Sequence, residues 1–189
     1  MKRPLRLALS VAVALAACDR AEPPPVPATR APRPAPTLIA LGELDYPLTA
    51  FDGVVVRLRG GRFEASADLP PEERVVMGAE LHPLSAVGDL DGDGSPDAAV
   101  VVAGNGGGSG TFLELFVVLN GATGLTPIAG PVLGDRLKIE RLEVREGRVT
   151  IAYLAAKPDD PLCCPTAKVQ RDLRLEAGRL VEIPAPASL

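Results

Sequence analysis

The chain has 189 residues, and its 47% hydrophobic fraction with only 3% aromatics and no tryptophan requires a core built from Val, Leu, Ile and Ala. The length fits one domain with extensions, large enough to bury a real core. A net charge of −4 argues against nucleic-acid binding, which needs a basic stripe to displace phosphate counterions.

The N-terminus opens with the basic stretch Met1 to Arg6, then an apolar run from Leu7 to Ala17 with Ser10 as its one polar residue. This run falls short of the roughly 20 residues that a stable membrane helix needs and has the shape of a secretory h-region. It ends in Leu15-Ala16-Ala17-Cys18, which resembles the lipobox of bacterial lipoproteins. The resemblance implies a signal peptide over 1–17 and lipidation of Cys18. Acyl chains would hold the protein at a membrane surface, each buried CH₂ adding about 0.8 kcal/mol. Loss of Lys2, Arg3 and Arg6 with the signal takes the net charge from −4 to −7. Asp19 resembles the inner-membrane retention signal of enteric lipoproteins, a rule that differs between bacteria. From Glu22 to Pro36 proline and alanine dominate, so residues 18–36 read as an anchor and an extended tether.

Residues 37–189 then form one β-rich domain. Val54 to Arg59 and Arg62 to Glu64 flank Gly60-Gly61, a two-residue hairpin signal in which glycine supplies positive φ. Leu69 to Arg74 could start a short helix, but nothing sustains it. His82 precedes Pro83 and reads as a strand-end residue. The segment Asp89-Leu90-Asp91-Gly92-Asp93-Gly94-Ser95-Pro96-Asp97 places four carboxylates at alternating positions. Carboxylates this dense repel by about 1–4 kcal/mol per close pair unless a cation sits among them. Calcium takes six to eight oxygens, and Asp89, Asp91, Asp93, Ser95 and Asp97 fall at loop positions one, three, five, seven and nine. Ser95 would offer its backbone carbonyl. Position twelve is Val100 rather than the glutamate of an EF-hand, so Asp97 would supply the closing carboxylate.

Asp97 to Ala103 and Phe112 to Leu119 are too apolar for surface strands and predict central strands covered on both faces. The glycine run between them, Gly104 to Gly110, lacks a phosphate-loop pattern and reads as a loop or a close-packing site. Ser109 lies outside any GxSxG, and Glu72 and Glu73 read as solvated surface. Asp135-Arg136 reads as a turn with a salt bridge, or more sharply as an anion site at Arg136. Two further hairpins are signalled by Glu146-Gly147, between Leu142 to Arg145 and Arg148 to Tyr153, and by Ala177-Gly178, between Leu173 to Glu176 and Arg179 to Glu182.

With Cys18 taken by lipid, the remaining cysteines are the adjacent Cys163 and Cys164. Neighbouring Cα atoms lie near 3.8 Å, shorter than the usual disulfide span of about 4.4–6.8 Å. Three readings stand: a strained vicinal disulfide in a Pro161- and Pro165-flanked turn, buried free thiols, or a redox or metal site.

Gly88 to Val100 resembles the DxDGDGxxD calcium loop of FG-GAP and integrin-propeller repeats, which leads into a buried strand. The resemblance implies structural calcium. The pattern occurs once, so it does not imply a propeller. More of the chain, about Tyr46 to Val181, resembles a family of uncharacterised bacterial envelope proteins that join this loop to three other motifs. Here they are Gly107-Gly108-Ser109-Gly110-Thr111-Phe112, Leu133-Gly134-Asp135-Arg136 and Asp160-Pro161-Leu162-Cys163-Cys164-Pro165-Thr166. The expected fold is mainly β, a single antiparallel sandwich or open-barrel-like domain. The expected function is a calcium-stabilised, lipid-anchored binding or assembly module of the cell envelope, outside the cytoplasm. A membrane partner comes through the anchor, with an envelope protein or polysaccharide as ligand. The alternative is an envelope enzyme, a calcium-dependent hydrolase or a vicinal-cysteine redox protein.

Overall fold

The computed structural model describes residues 31–65, 77–161 and 163–184. The expected signal peptide, Cys18, the expected tether up to Arg30, the segment Leu69 to Arg74 and the pair Glu72 and Glu73 lie outside them. The compact unit begins at Pro32, earlier than the expected Thr37. Its elements are α1 (Leu38–Leu41), β1 (Asp45–Leu48), a 3-10 turn (Thr49–Phe51), β2 (Val54–Arg57), β3 (Arg62–Glu64), β4 (Gly78–Gly88), β5 (Asp97–Asn105), β6 (Phe112–Gly121), β7 (Gly124–Asp135), β8 (Lys138–Arg145), β9 (Arg148–Ala155), β10 (Ala167–Glu176) and β11 (Arg179–Ile183).

Among the described residues the fold is mainly β, in three antiparallel sheets with no closed barrel. A five-stranded sheet runs in the order β3-β4-β5-β6-β7, a four-stranded sheet in the order β11-β10-β9-β8, and β1 pairs with β2. The apolar runs are β5 and β6, and they sit inside the five-stranded sheet as their composition predicts. Because side chains alternate faces along a strand, each run feeds two cores. Ala98, Val100, Val102, Phe116 and Val118 pack under Leu41, Tyr46, Leu48, Val56 and Leu58 of the N-terminal layer. Ala99, Val101, Leu113, Leu115 and Val117 pack against Ile139, Val149, Ile151, Tyr153 and Leu173 of the four-stranded sheet. Full burial of one such Leu or Ile contributes about 1.5–3 kcal/mol, so the doubly covered β5 and β6 are the energetic centre of the domain. Tyr46 and Phe116 meet edge to face at 5.1 Å between ring centroids, the arrangement that aromatic quadrupoles favour.

Two of the three hairpins form as read: β8 with β9 and β10 with β11. At both turns the two central residues take positive φ, 51° and 70° at Glu146 and Gly147, and 47° and 76° at Ala177 and Gly178. The Gly60-Gly61 turn also forms, but its flanks do not make a hairpin. Only Arg59 and Arg62 bridge; β2 joins β1 and β3 joins β4 in a different sheet. His82 lies within β4 rather than at a strand end, beside Pro83, where the register with β5 shifts between Leu81 and Ser85. Proline lacks the N–H that a regular ladder needs, which accounts for the irregularity.

Pro127 and Pro131 are tolerated because β7 is an edge strand. Its register against β6 shifts on either side of Glu114. There Gly130 passes so close to its neighbours that a Cβ would lie 2.7 Å from the Leu115 carbonyl oxygen and 2.7 Å from Leu180 Cδ1. Backbone cannot move aside as a side-chain tip can. Gly130→Ala is therefore expected to destabilise the domain by about 1–3 kcal/mol through overpacking, read as a lowered urea midpoint with an unchanged slope. An unchanged midpoint would show that β7 shifts freely at this point.

Candidate metal centre

The acidic loop joins β4 to β5 and is wound by its own carboxylates. Asp89 Oδ1 accepts the Gly92 N–H (2.7 Å) and Oδ2 the Gly94 N–H (3.0 Å), while Asp91 Oδ1 accepts the Asp93 N–H (3.0 Å). Gly92 and Gly94 take φ of 79° and 80°, a region that residues with a Cβ rarely occupy. Asp97, 1% exposed, forms the floor. Its Oδ2 accepts the Leu90 N–H (2.9 Å) and its Oδ1 the Asn120 N–H (2.8 Å), which fastens the loop to the end of β6. Burial pushes the Asp97 carboxyl above its ordinary range, against the opposing pull of these N–H groups.

One carboxylate oxygen from each of Asp89, Asp91 and Asp97 falls within 4.8 Å of the others. An ion bound at 2.3–2.6 Å from each ligand is in reach of three such oxygens, and an all-oxygen donor set suits calcium or magnesium better than a thiophilic metal. Asp93, the fourth expected ligand, stands apart. Its Oδ1 accepts the Ser95 N–H (2.8 Å) and its Oδ2 pairs with Arg33. These contacts, the Ser95 N–H first, hold its carboxyl below the ordinary carboxylate range. Ser95 is buried, and its hydroxyl oxygen accepts the Arg33 N–H at 3.3 Å.

Arg33 carries no signal in the sequence beyond a charge in a proline-rich run, yet it clips that run onto the loop. Its Nε donates to the Asn120 carbonyl and its Nη2 to Asp93, while Asn120 Nδ2 donates to the carbonyls of Pro34 (2.9 Å) and Pro96 (3.1 Å). The last residues of the expected tether are thus part of the folded unit.

The other expected motifs meet at the opposite end of β5. Asp135 Oδ1 accepts the Thr111 N–H (2.7 Å) and the Arg136 N–H donates to the Thr111 carbonyl (2.8 Å), so the GGSGTF and LGDR segments bind each other. Arg136 also pairs with Asp135 at 2.6 Å, as the turn-and-salt-bridge reading expects. In the glycine run, a Cβ on Gly104 would lie 2.5 Å from the Phe51 ring, which makes that position a close-packing site. Cys163 and Cys164 are both exposed, against the buried-thiol reading, and their sulfurs are bonded to each other.

Comparison with family models, curated proteins and solved structures finds no match to this chain. The site therefore rests on its own geometry.

Proposed function

We propose that this chain is a lipid-anchored cell-envelope protein whose β domain is a binding or assembly module stabilised by one calcium ion. Asp89, Asp91 and Asp97 would hold the ion. The observation that carries the reading is the convergence of their three carboxylates to within 4.8 Å on a glycine-permitted loop. Three negative charges at this spacing oppose folding when alone and favour it around a divalent cation. The lipobox-like Leu15 to Cys18 supports the address, and an envelope protein or polysaccharide is the partner class.

The test is thermal unfolding of the full chain in chelator and across a calcium titration. An ion that binds only the folded state contributes about 2.7 kcal/mol at a hundredfold excess over its dissociation constant. For a domain of this size that corresponds to a rise of roughly 5–10 °C in Tm. Asp91→Ala should abolish the rise, because Asp91 is the exposed member of the triad and holds only a local turn. Equal Tm values with and without calcium would overturn the proposal.

A further inference from the structure

The disulfide between Cys163 and Cys164 has no staple role. A cross-link stabilises mainly by shortening the loop it closes in the unfolded chain, and a bond between adjacent residues closes none. The turn around it is held by other means. Asp160 accepts hydrogen bonds from the Lys157 N–H (2.8 Å), the Thr166 N–H (2.8 Å) and the Thr166 hydroxyl (2.9 Å), and the Cys164 N–H donates to the Pro161 carbonyl (2.9 Å). Ala155 and Ala167 pair at its base. The pair is therefore presented on a frame that does not depend on it.

It faces a cleft of about 360 Å³ shared with Arg136, Leu137, Lys138, Leu154 and Pro165. Arg136 lies in the β7–β8 turn and Lys138 opens β8, so two segments distant in sequence build one pocket. Its lining combines the disulfide of two exposed cysteines, the basic residues Lys138 and Arg136 (the latter paired with Asp135), and an apolar wall. Nearby cations favour a cysteine thiolate over the thiol, and they attract anions.

We propose that this cleft is a thiol–disulfide exchange site for small thiols that carry a carboxylate. The incoming thiolate attacks one cysteine sulfur and forms a mixed disulfide. The Cys163–Cys164 bond breaks, and its electron pair stays on the other sulfur as a thiolate in the cleft that Arg136 and Lys138 also line. A second thiolate attacks the mixed disulfide, releases the small-molecule disulfide and leaves the second cysteine thiolate. Two thiols are thereby oxidised, and the protein disulfide gains two electrons and becomes a dithiol. The site lies at the far end of β5 from the acidic loop and does not depend on the calcium reading.

The test uses the full chain carrying Cys18→Ser, so that only Cys163 and Cys164 can be alkylated. Oxidised protein is treated with mercaptosuccinate or with neutral 2-mercaptoethanol, and alkylation is followed by mass spectrometry. Per thiolate, mercaptosuccinate should react about fivefold faster, as Lys138 at about 4 Å from a carboxylate would give in water. Lys138→Gln, at an exposed position, should reduce that preference several-fold with an unchanged far-UV spectrum. Equal per-thiolate rates, or two alkylatable thiols remaining after oxidation, would overturn the proposal.

Discussion

Asp97→Ala is expected to destabilise the domain by about 2–6 kcal/mol, since each of two buried backbone donors left unpaired costs about 1–3 kcal/mol. Those donors are the Leu90 and Asn120 N–H groups, at 2.9 and 2.8 Å from the carboxylate. No other side chain replaces a carboxylate that is 1% exposed between β4, β5 and β6. Asp97→Asn keeps one carbonyl oxygen as acceptor and should lose about half as much. Denaturant unfolding in chelator separates this role from ion binding. The loss should persist there, because the two N–H bonds need no ion. If chelator brings wild type and Asp97→Ala to the same midpoint, Asp97 acts through the ion alone.

Glu114→Ala should cost a comparable 2–4 kcal/mol by the same reasoning. Glu114 is 1% exposed near the start of β6. It points into the N-terminal layer, where it accepts the Thr49 N–H (2.9 Å), the Thr49 hydroxyl (2.5 Å) and the Ala50 N–H (3.3 Å). It caps the 3-10 turn from a neighbouring sheet, so its loss should also loosen Phe51 over the glycine run. Burial pushes its carboxyl above the ordinary value, more than these donors pull it down. The folded chain then holds the proton more tightly than the unfolded one. This group's contribution is complete below its ordinary value and is lost as pH rises through the raised one. Glu114→Gln does not titrate. Urea midpoints from roughly pH 4 to 8 should therefore fall more steeply with rising pH in wild type than in Glu114→Gln. Parallel curves would show that the carboxylate ionises as freely in the fold as out of it.

Much of the architecture was legible because it follows from composition. The apolarity of Ala98 to Ala103 and, Glu114 aside, of Phe112 to Leu119 required cover on both faces, and β5 and β6 have it. Glu146-Gly147 and Ala177-Gly178 fixed hairpins because their flanks pair with each other. At Gly60-Gly61 the same chemistry made the turn but could not choose partners: burial of Val56 and Leu58 drew one flank into the N-terminal layer, and β4 took the other. The strand β7 stayed hidden behind Pro127 and Pro131, since nothing local says that it lies at an edge. The acidic loop was legible as a ligand set, but Asp93 is taken by Arg33, a contact across sixty residues that no local pattern encodes. Glu114 did carry a signal, as the one charge inside an apolar run. Such a residue is either misplaced or fully partnered, and here it is partnered.

Among the described residues, every ladder joins strands that are consecutive in the chain. Within each sheet, each strand after the first pairs with the strand just before it, so the closure entropy of most steps is that of a short connection, the β3–β4 and β9–β10 links being longer. Rates of folding fall as contacts become more distant in sequence, so this meander order favours fast assembly for an all-β protein. The distant steps are the two dockings that cover β5 and β6. Substitutions at those faces, such as Val56 and Ile151, should therefore speed unfolding more than they slow folding.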